Sequence, residues 1–215
     1  MFTLNPRVAC FSSEIIESCR DVCPSTIGHM TDFGFLKTLR PQIEQCQFIG
    51  NAVTVRIPHM DSSAVHKVFD IVQEGDVVCI DMSGDYDRAC WGEMVSYMAR
   101  AKKIAGAVID GCVTDIKALR EIGVPIYARK VSPLTTRILG IEGAINVPIS
   151  IDGVTIHPGN LIIADGDGIL VADEVTLQEY RQRALNAQHA EIDVKKRIDA
   201  GETLAAISGA AKFFE

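Results

Sequence analysis

The chain has 215 residues, 47% of them hydrophobic and 23% charged, which excludes a disordered or fibrous polymer and supplies one sizeable apolar core. Its net charge of −7 is opposite in sign to that of a phosphate-backbone binder, so no direct nucleic-acid partner is expected. No apolar stretch approaches the roughly 18 residues of a membrane span, no linker divides the chain, and Met1 to Cys23 lacks a basic and then apolar leader, so the expectation is one cytoplasmic domain over 1–215, without a membrane partner.

In chain order, Asp61-Ser-Ser followed by Ala64, Val65, Val68, Phe69 and Val72 predicts an N-capped amphipathic helix that Gly75 ends. Val77 to Ile80 is then a continuous apolar run, as expected of a strand covered on both faces. Met94, Val95, Met98 and Ala99 return to helical spacing, which leaves Met82 to Trp91 as a strand-to-helix loop. Ala105 to Ile109 reads as a second strand, Ile116 to Ile122 as a short helix and Val124 to Ala128 as a third strand. Together they give a parallel βαβ arrangement joined by right-handed crossovers.

Beyond Ile138 the pattern changes to short strands at Ala144 to Ser150, Val154 to Ile156, Leu161 to Ala164 and Gly168 to Val171, separated by glycine-containing turns. These predict a hairpin-rich β layer beside the parallel unit. Thr176-Leu-Gln-Glu179 reads as a capping box opening a long polar helix that Gly201 stops. So polar a helix is either solvated or reaches across to another subunit.

Asp81 and Asp110 end two of the strand runs and Asp115 follows closely, in the region beyond strand carboxyl ends where open α/β sheets gather ligands. Gly92, Glu93, Met94 and Val95 would form the first turn of a helix, whose unpaired N–H groups suit a carboxylate. Equally, Gly92 could be only a tight helix entry, with Asp85 and Asp87 solvated. Asp115 has two readings as well. It could cap the helix that starts at Ile116, or it could hold a hard cation such as Mg²⁺ or Mn²⁺ with the help of water and substrate oxygens. The histidines His29, His59, His66, His157 and His189 are scattered, and no nucleophile elbow, P-loop or dinucleotide fingerprint is present. Cys10, Cys19, Cys23, Cys46, Cys79, Cys90 and Cys112 are odd in number and lack a C-x-x-C pair, so they read as buried free thiols rather than disulfides or a zinc site.

Gly75 to Asp81, Trp91-Gly-Glu93, Gly106 to Asp115, Pro158 to Gly168 and Glu191 to Gly201 together resemble the RraA-like family, over roughly residues 24 to 205. That family includes 4-hydroxy-4-methyl-2-oxoglutarate aldolases and the RNase E regulator RraA, and many members carry an old label as demethylmenaquinone methyltransferases. The resemblance implies an α-β-β-α sandwich, a homotrimer or a hexamer of stacked trimers, and a C-terminal helix packed on a neighbouring subunit. It further implies that Asp115 holds Mg²⁺ or Mn²⁺ largely through waters, that a small 2-oxo acid chelates the ion, and that the amides of Gly92 to Val95 grip the substrate carboxylate.

By the same resemblance, Glu191 matches an acidic residue lent to the neighbouring site, and Thr114 stands where the aldolases carry an arginine that pairs with the substrate oxygen. A hydroxyl is no substitute for a guanidinium, so Arg88 and Arg129 become candidates for that role. His29 also stands near a position where many relatives have an aspartate. The function implied is a metal-dependent carbon–carbon lyase, an aldolase or an oxaloacetate-type decarboxylase, that releases pyruvate from a 2-oxo di- or tricarboxylic acid. The alternative is a non-catalytic regulator that binds a protein partner. Methyl transfer lacks any glycine-rich adenosylmethionine loop in the sequence.

Overall fold

The two apolar runs carrying Asp81 and Asp110 lie side by side as parallel strands, in register from Val77 opposite Gly106 to Asp81 opposite Asp110. The structure is a computed structural model that describes residues 1–44, 46–58 and 60–214. Its strands are β1 (Phe2–Leu4), β2 (Phe35–Leu36), β3 (Arg40–Pro41), β4 (Phe48–Arg56), β5 (Val77–Asp81), β6 (Ala89–Trp91), β7 (Gly106–Val113), β8 (Ile126–Val131), β9 (Gly143–Ile145), β10 (Ile149–Ile151), β11 (Val154–Ile156), β12 (Leu161–Ala164) and β13 (Ile169–Ala172). The α-helices are α1 (Ser13–Ser18), α2 (Pro24–Gly28), α3 (Ser63–Lys67), α4 (Glu93–Ala101), α5 (Ile116–Ile122), α6 (Glu174–Asp199) and α7 (Leu204–Ser208), with 3-10 turns at Val68–Asp70 and Ala210–Phe213.

One large mixed sheet runs β2-β13-β12-β4-β5-β7-β8-β3, with β4, β5, β7 and β8 mutually parallel and the hairpin β10-β11 set apart. The nine-residue β4 is where it curls. Its first half, Phe48 to Asn51, pairs antiparallel with β12, and its second half, from Ala52, pairs parallel with β5. The hairpin strands β12 and β13 are therefore not the separate second layer expected from the sequence. They continue the same sheet, folded back so that Ile162, Ala164, Ile169 and Val171 face Val77, Cys79, Val108 and Tyr127 across a shared core. Period-2 alternation sends the other side chains outward. Val78, Ile80, Ala107 and Ile109 meet α3, α4 and α5, while Leu161, Ile163, Leu170 and Ala172 meet the N-terminal helices and α6.

One predicted helix start holds and one differs. The helix after Asp61 is α3, which passes into a 3-10 turn at Val68, and Asp61 does more than start it. Its buried carboxylate accepts from Ser63 N and Oγ and from the N–H groups of Leu139, Ile141 and Glu142, tying down the 137–142 segment. Helix α6 begins at Asp173 rather than at Thr176, because the Asp173 carboxylate takes both the Thr176 N–H at 2.8 Å and its hydroxyl at 2.7 Å. The Thr-x-x-Glu box thus sits inside the first turns. Leu177 and Ala184 bury the first half of α6, and from His189 onward it is largely exposed until Gly201, at φ +95°, ends it. No helix of the described residues is long and apolar enough to cross a membrane.

Burial opposes ionisation of Asp61, but the hydrogen bonds from Ser63, Leu139 and Ile141 outweigh it and hold the carboxyl below the usual carboxylate range. A depressed folded-state value adds stability that is complete above the unfolded carboxyl value of about 4 and lost as pH falls through the folded one. Urea unfolding followed by Trp91 emission should therefore show wild-type stability falling as pH drops below about 4, and a smaller acid-induced loss in Asp61→Asn. Parallel pH profiles for the two proteins would refute this role for Asp61.

Candidate functional site

Where β7 leaves the sheet, Asp115 takes a left-handed backbone (φ 54°, ψ 39°) at the head of α5. A side chain caps its own helix from an extended backbone, and from this conformation Asp115 makes no such bond. Its Oδ2 instead accepts the N–H of Glu93, the first residue of α4, at 2.9 Å. The contact arises because β6 runs beside the end of β7, with Thr114 N donating to Trp91 O at 2.9 Å, which brings Gly92 against Asp115. A Cβ on Gly92 would lie 2.5 Å from Asp115 Oδ2 and 2.8 Å from Thr114 Cγ2. The backbone at Gly92 (φ −140°, ψ −158°) is open to any residue, so glycine is required here for room and not for conformation.

Helix α4 makes its first intrahelical bond from Ser96 N to Gly92 O, which leaves the Glu93, Met94 and Val95 amides without helical partners. Asp115 takes the first, and the other two remain at the positive end of the helix. Trp91 fixes this corner from below. Its ring is buried against Phe69, and Nε1 donates to Ser96 Oγ at 2.7 Å. Thr114, Asp115 and Gly92 to Val95, nominated separately from the sequence, are thus one constellation. Asp115 Oδ1 is its outward oxygen, 3.5 Å from Thr114 Oγ1.

The other candidates lie elsewhere: Asp81 and Asp110 stand opposite each other on β5 and β7, and neither shares a hydrogen bond or ion pair with Asp115. Asp110 lies within β7, three residues or roughly 10 Å before the strand ends, on the face it shares with Val108. There it pairs with Arg129 at 2.6 Å, and Arg129 also reaches Asp152 at 3.1 Å and lies over the Tyr86 ring at 3.8 Å. Burial pushes the Asp110 carboxyl up despite Arg129. For Asp152, burial works in the same upward direction but is outweighed by the bonds from Thr38 and the charge of Arg129, which hold it down. Arg129 is engaged in this cluster and forms no hydrogen bond or ion pair with Thr114 or Asp115. No sequence signal connects Thr38, Tyr86, Asp110, Arg129 and Asp152, which come from five separate segments.

Arg88 is turned toward Asp85, with Nε 3.4 Å from Oδ2, and forms no hydrogen bond or ion pair with Thr114 or Asp115. The loop that carries it is moulded onto β7 and β8. Gly111 makes way for Met82, whose Sδ would lie 2.0 Å from a Cβ there, and Lys130 holds Asp87 at 2.9 Å. Asp85 is therefore a largely buried loop residue, while Asp87 is solvated with an exposed ion pair to Lys130. Glu191 is exposed on α6 near Cys23, in the helical layer on the opposite side of the curled sheet from α4 and α5. His59 lies outside the described residues. All seven cysteines are free; Cys10 is exposed and Cys23 half-buried rather than fully buried, while burial pushes the Cys46 and Cys90 thiols up to about 12.

Among the described residues no three His, Cys, Asp or Glu side chains come together to hold a metal. A hard cation held by one carboxylate and water needs no such group.

Comparison with known proteins gives the family. Residues 18–171 match the family described as RraA-like, Aldolase/RraA. A protein of Halalkalibacterium halodurans provisionally named a 4-hydroxy-4-methyl-2-oxoglutarate aldolase is 38% identical over 78% of this chain and 79% of its own. Among solved structures, RraAS2 of Streptomyces coelicolor, described as an unusual member of the RNase ES inhibitor RraA family, superposes with a TM-score of 0.78 at 27% identity, over 88% of this chain and 99% of its own. An uncharacterised protein of Pseudomonas syringae pv. tomato gives 0.78 at 26%, over 94% and 98%.

Gly92→Ala should displace the Asp115 carboxylate, lower stability by about 1–3 kcal/mol, as overpacking generally does, and expose the Glu93 amide to faster hydrogen exchange. An unshifted, equally protected Glu93 amide in the variant's NMR spectrum would show that the contact does not exist in solution.

Proposed function

The chain belongs to the RraA-like aldolase family, and from that premise we propose that it is a divalent-metal-dependent carbon–carbon lyase releasing pyruvate from a small 2-oxo di- or tricarboxylic acid. The observation that carries this reading is the release of Asp115 from its own helix. Its carboxylate is steadied through Oδ2 by the Glu93 amide, with Oδ1 left on the open side. Only oxygen donors are available there, which suits Mg²⁺ or Mn²⁺. Such an ion supplies electrophilic stabilisation of the negative charge that bond cleavage leaves on the former 2-oxo oxygen.

In this reading the Met94 and Val95 amides grip the substrate carboxylate at the start of α4, and Gly92 lets it approach the backbone. Glu191 acts on a neighbouring copy's site, within a homotrimer or hexamer. The exposed Ile192, Ile198, Leu204, Phe213 and Phe214 on and beyond the second half of α6 support such packing, since apolar surface of this extent gains from being covered. Arg88 contributes to the acidic loop through Asp85 and takes part in catalysis only if that loop rearranges.

The likeness to RraAS2, together with an uncharged Thr114, supports a second reading as a regulator that binds a protein partner without catalysis. The two separate cleanly in one assay. Pyruvate release from 4-hydroxy-4-methyl-2-oxoglutarate and from oxaloacetate, coupled to lactate dehydrogenase, should require Mg²⁺ or Mn²⁺, cease with EDTA and drop about 100-fold or more in Asp115→Asn. Absence of turnover in the wild type on both acids, or full activity in Asp115→Asn, would sink the lyase reading.

A further inference from the structure

Thr114 does more at this corner than occupy space. Its Cγ2 is packed against Gly92, close enough that a single added methyl there would clash at 2.8 Å. A β-branched side chain held in this way has little freedom about χ1, so its hydroxyl is also fixed in direction. That direction is toward Asp115 Oδ1, at 3.5 Å, a spacing too long for a strong hydrogen bond. Oδ2 is meanwhile committed to the Glu93 amide, and the left-handed turn at Asp115 keeps its carboxylate off α5. Two oxygens on consecutive residues therefore lie together in the same exposed space, joined only by this long contact from the Thr114 hydroxyl to Asp115 Oδ1.

We propose that Thr114 Oγ1 and Asp115 Oδ1 form a two-oxygen seat for a divalent cation, with the threonine hydroxyl as a direct ligand. The inference rests on the metal-dependent reading above and adds a ligand to it. Threonine hydroxyls serve hard cations in this way in phosphate-binding loops. Adjacent ligands of an octahedral ion at 2.0–2.1 Å are about 2.9 Å apart, and around an ion at 2.3–2.6 Å the same edge is roughly 3.3–3.7 Å. The pair as placed spans the larger cation, and closes onto Mg²⁺ or Mn²⁺ if the two oxygens approach by about half an ångström. A threonine at this position thus gives the cation a second protein oxygen, and the positive charge at the site comes from the bound ion.

Binding of Mn²⁺ alone, read from the free-ion EPR signal with no substrate present, tests the seat without reference to catalysis. Thr114→Val should weaken Mn²⁺ binding by about tenfold or more and add one exchanging water to the bound ion in proton relaxation, while Thr114→Ser stays close to wild type. Trp91 emission reports whether each variant is folded. If Thr114→Val does not fold, Thr114→Ala in comparison with Thr114→Ser decides the same point. Unchanged affinity on loss of the hydroxyl, or equal losses in Thr114→Ser and Thr114→Val, would overturn the seat and leave Asp115 as the sole protein ligand. A wild-type protein that takes up no Mn²⁺ at millimolar concentration would overturn both the seat and the lyase reading.

Discussion

The hydrogen bond from the Glu93 amide to the Asp115 carboxylate joins two crossover units of the sheet at their open ends. One element, α4, supplies a helix start with a partial positive charge, and the other, the end of β7, supplies the anion that settles there. The bond forms only because β6 is pinned beside β7 and because position 92 carries no side chain. Remove any of these and the carboxylate becomes an ordinary surface group. With all of them present it is held in one orientation.

A second polar assembly lies inside the curl, where Arg129 gathers Asp110, Asp152 and the face of Tyr86. Burying so much charge is tolerable because the guanidinium satisfies two carboxylates and an aromatic ring at once. Its effect is mechanical: it fastens β7, β8, the β10-β11 turn and the loop around Tyr86 at a place where hydrophobic packing runs out. The N-terminal arm is secured in similar fashion, with Arg7 gripping the buried Asp76 at 2.5 Å. The protein thus uses its most strongly paired arginines as structural ties.

Much of the scaffold could be read from residue order. The apolar runs before Asp81 and through Ile109, the helix from Ile116 to Ile122, and the strands Val154–Ile156 and Leu161–Ala164 all lie where periodicity put them. Local pattern was enough because each is short and bounded by turn residues. It was not enough for β4, whose two halves bond to strands far apart in sequence, so the hairpin region looked like an independent layer. The start of α6 was hidden for a related reason: Asp173 wins the cap over Thr176, whose own N–H and hydroxyl it takes, a choice that spacing does not reveal. At the site, each participant was visible singly, but the choice of Asp115 between its own helix and the next depended on one left-handed dihedral.

The way β4 is shared also sets the order in which this protein can be made. Residues 48–51 must wait for a partner more than a hundred positions downstream, in β12, so while the ribosome is still translating the intervening segment that edge is bare and its apolar face wet. The parallel strands and their helices can assemble early as a half-built unit. Enclosure of the interior comes only with the last third of the chain, so apolar surface stays open on the nascent polypeptide until the closing hairpin emerges.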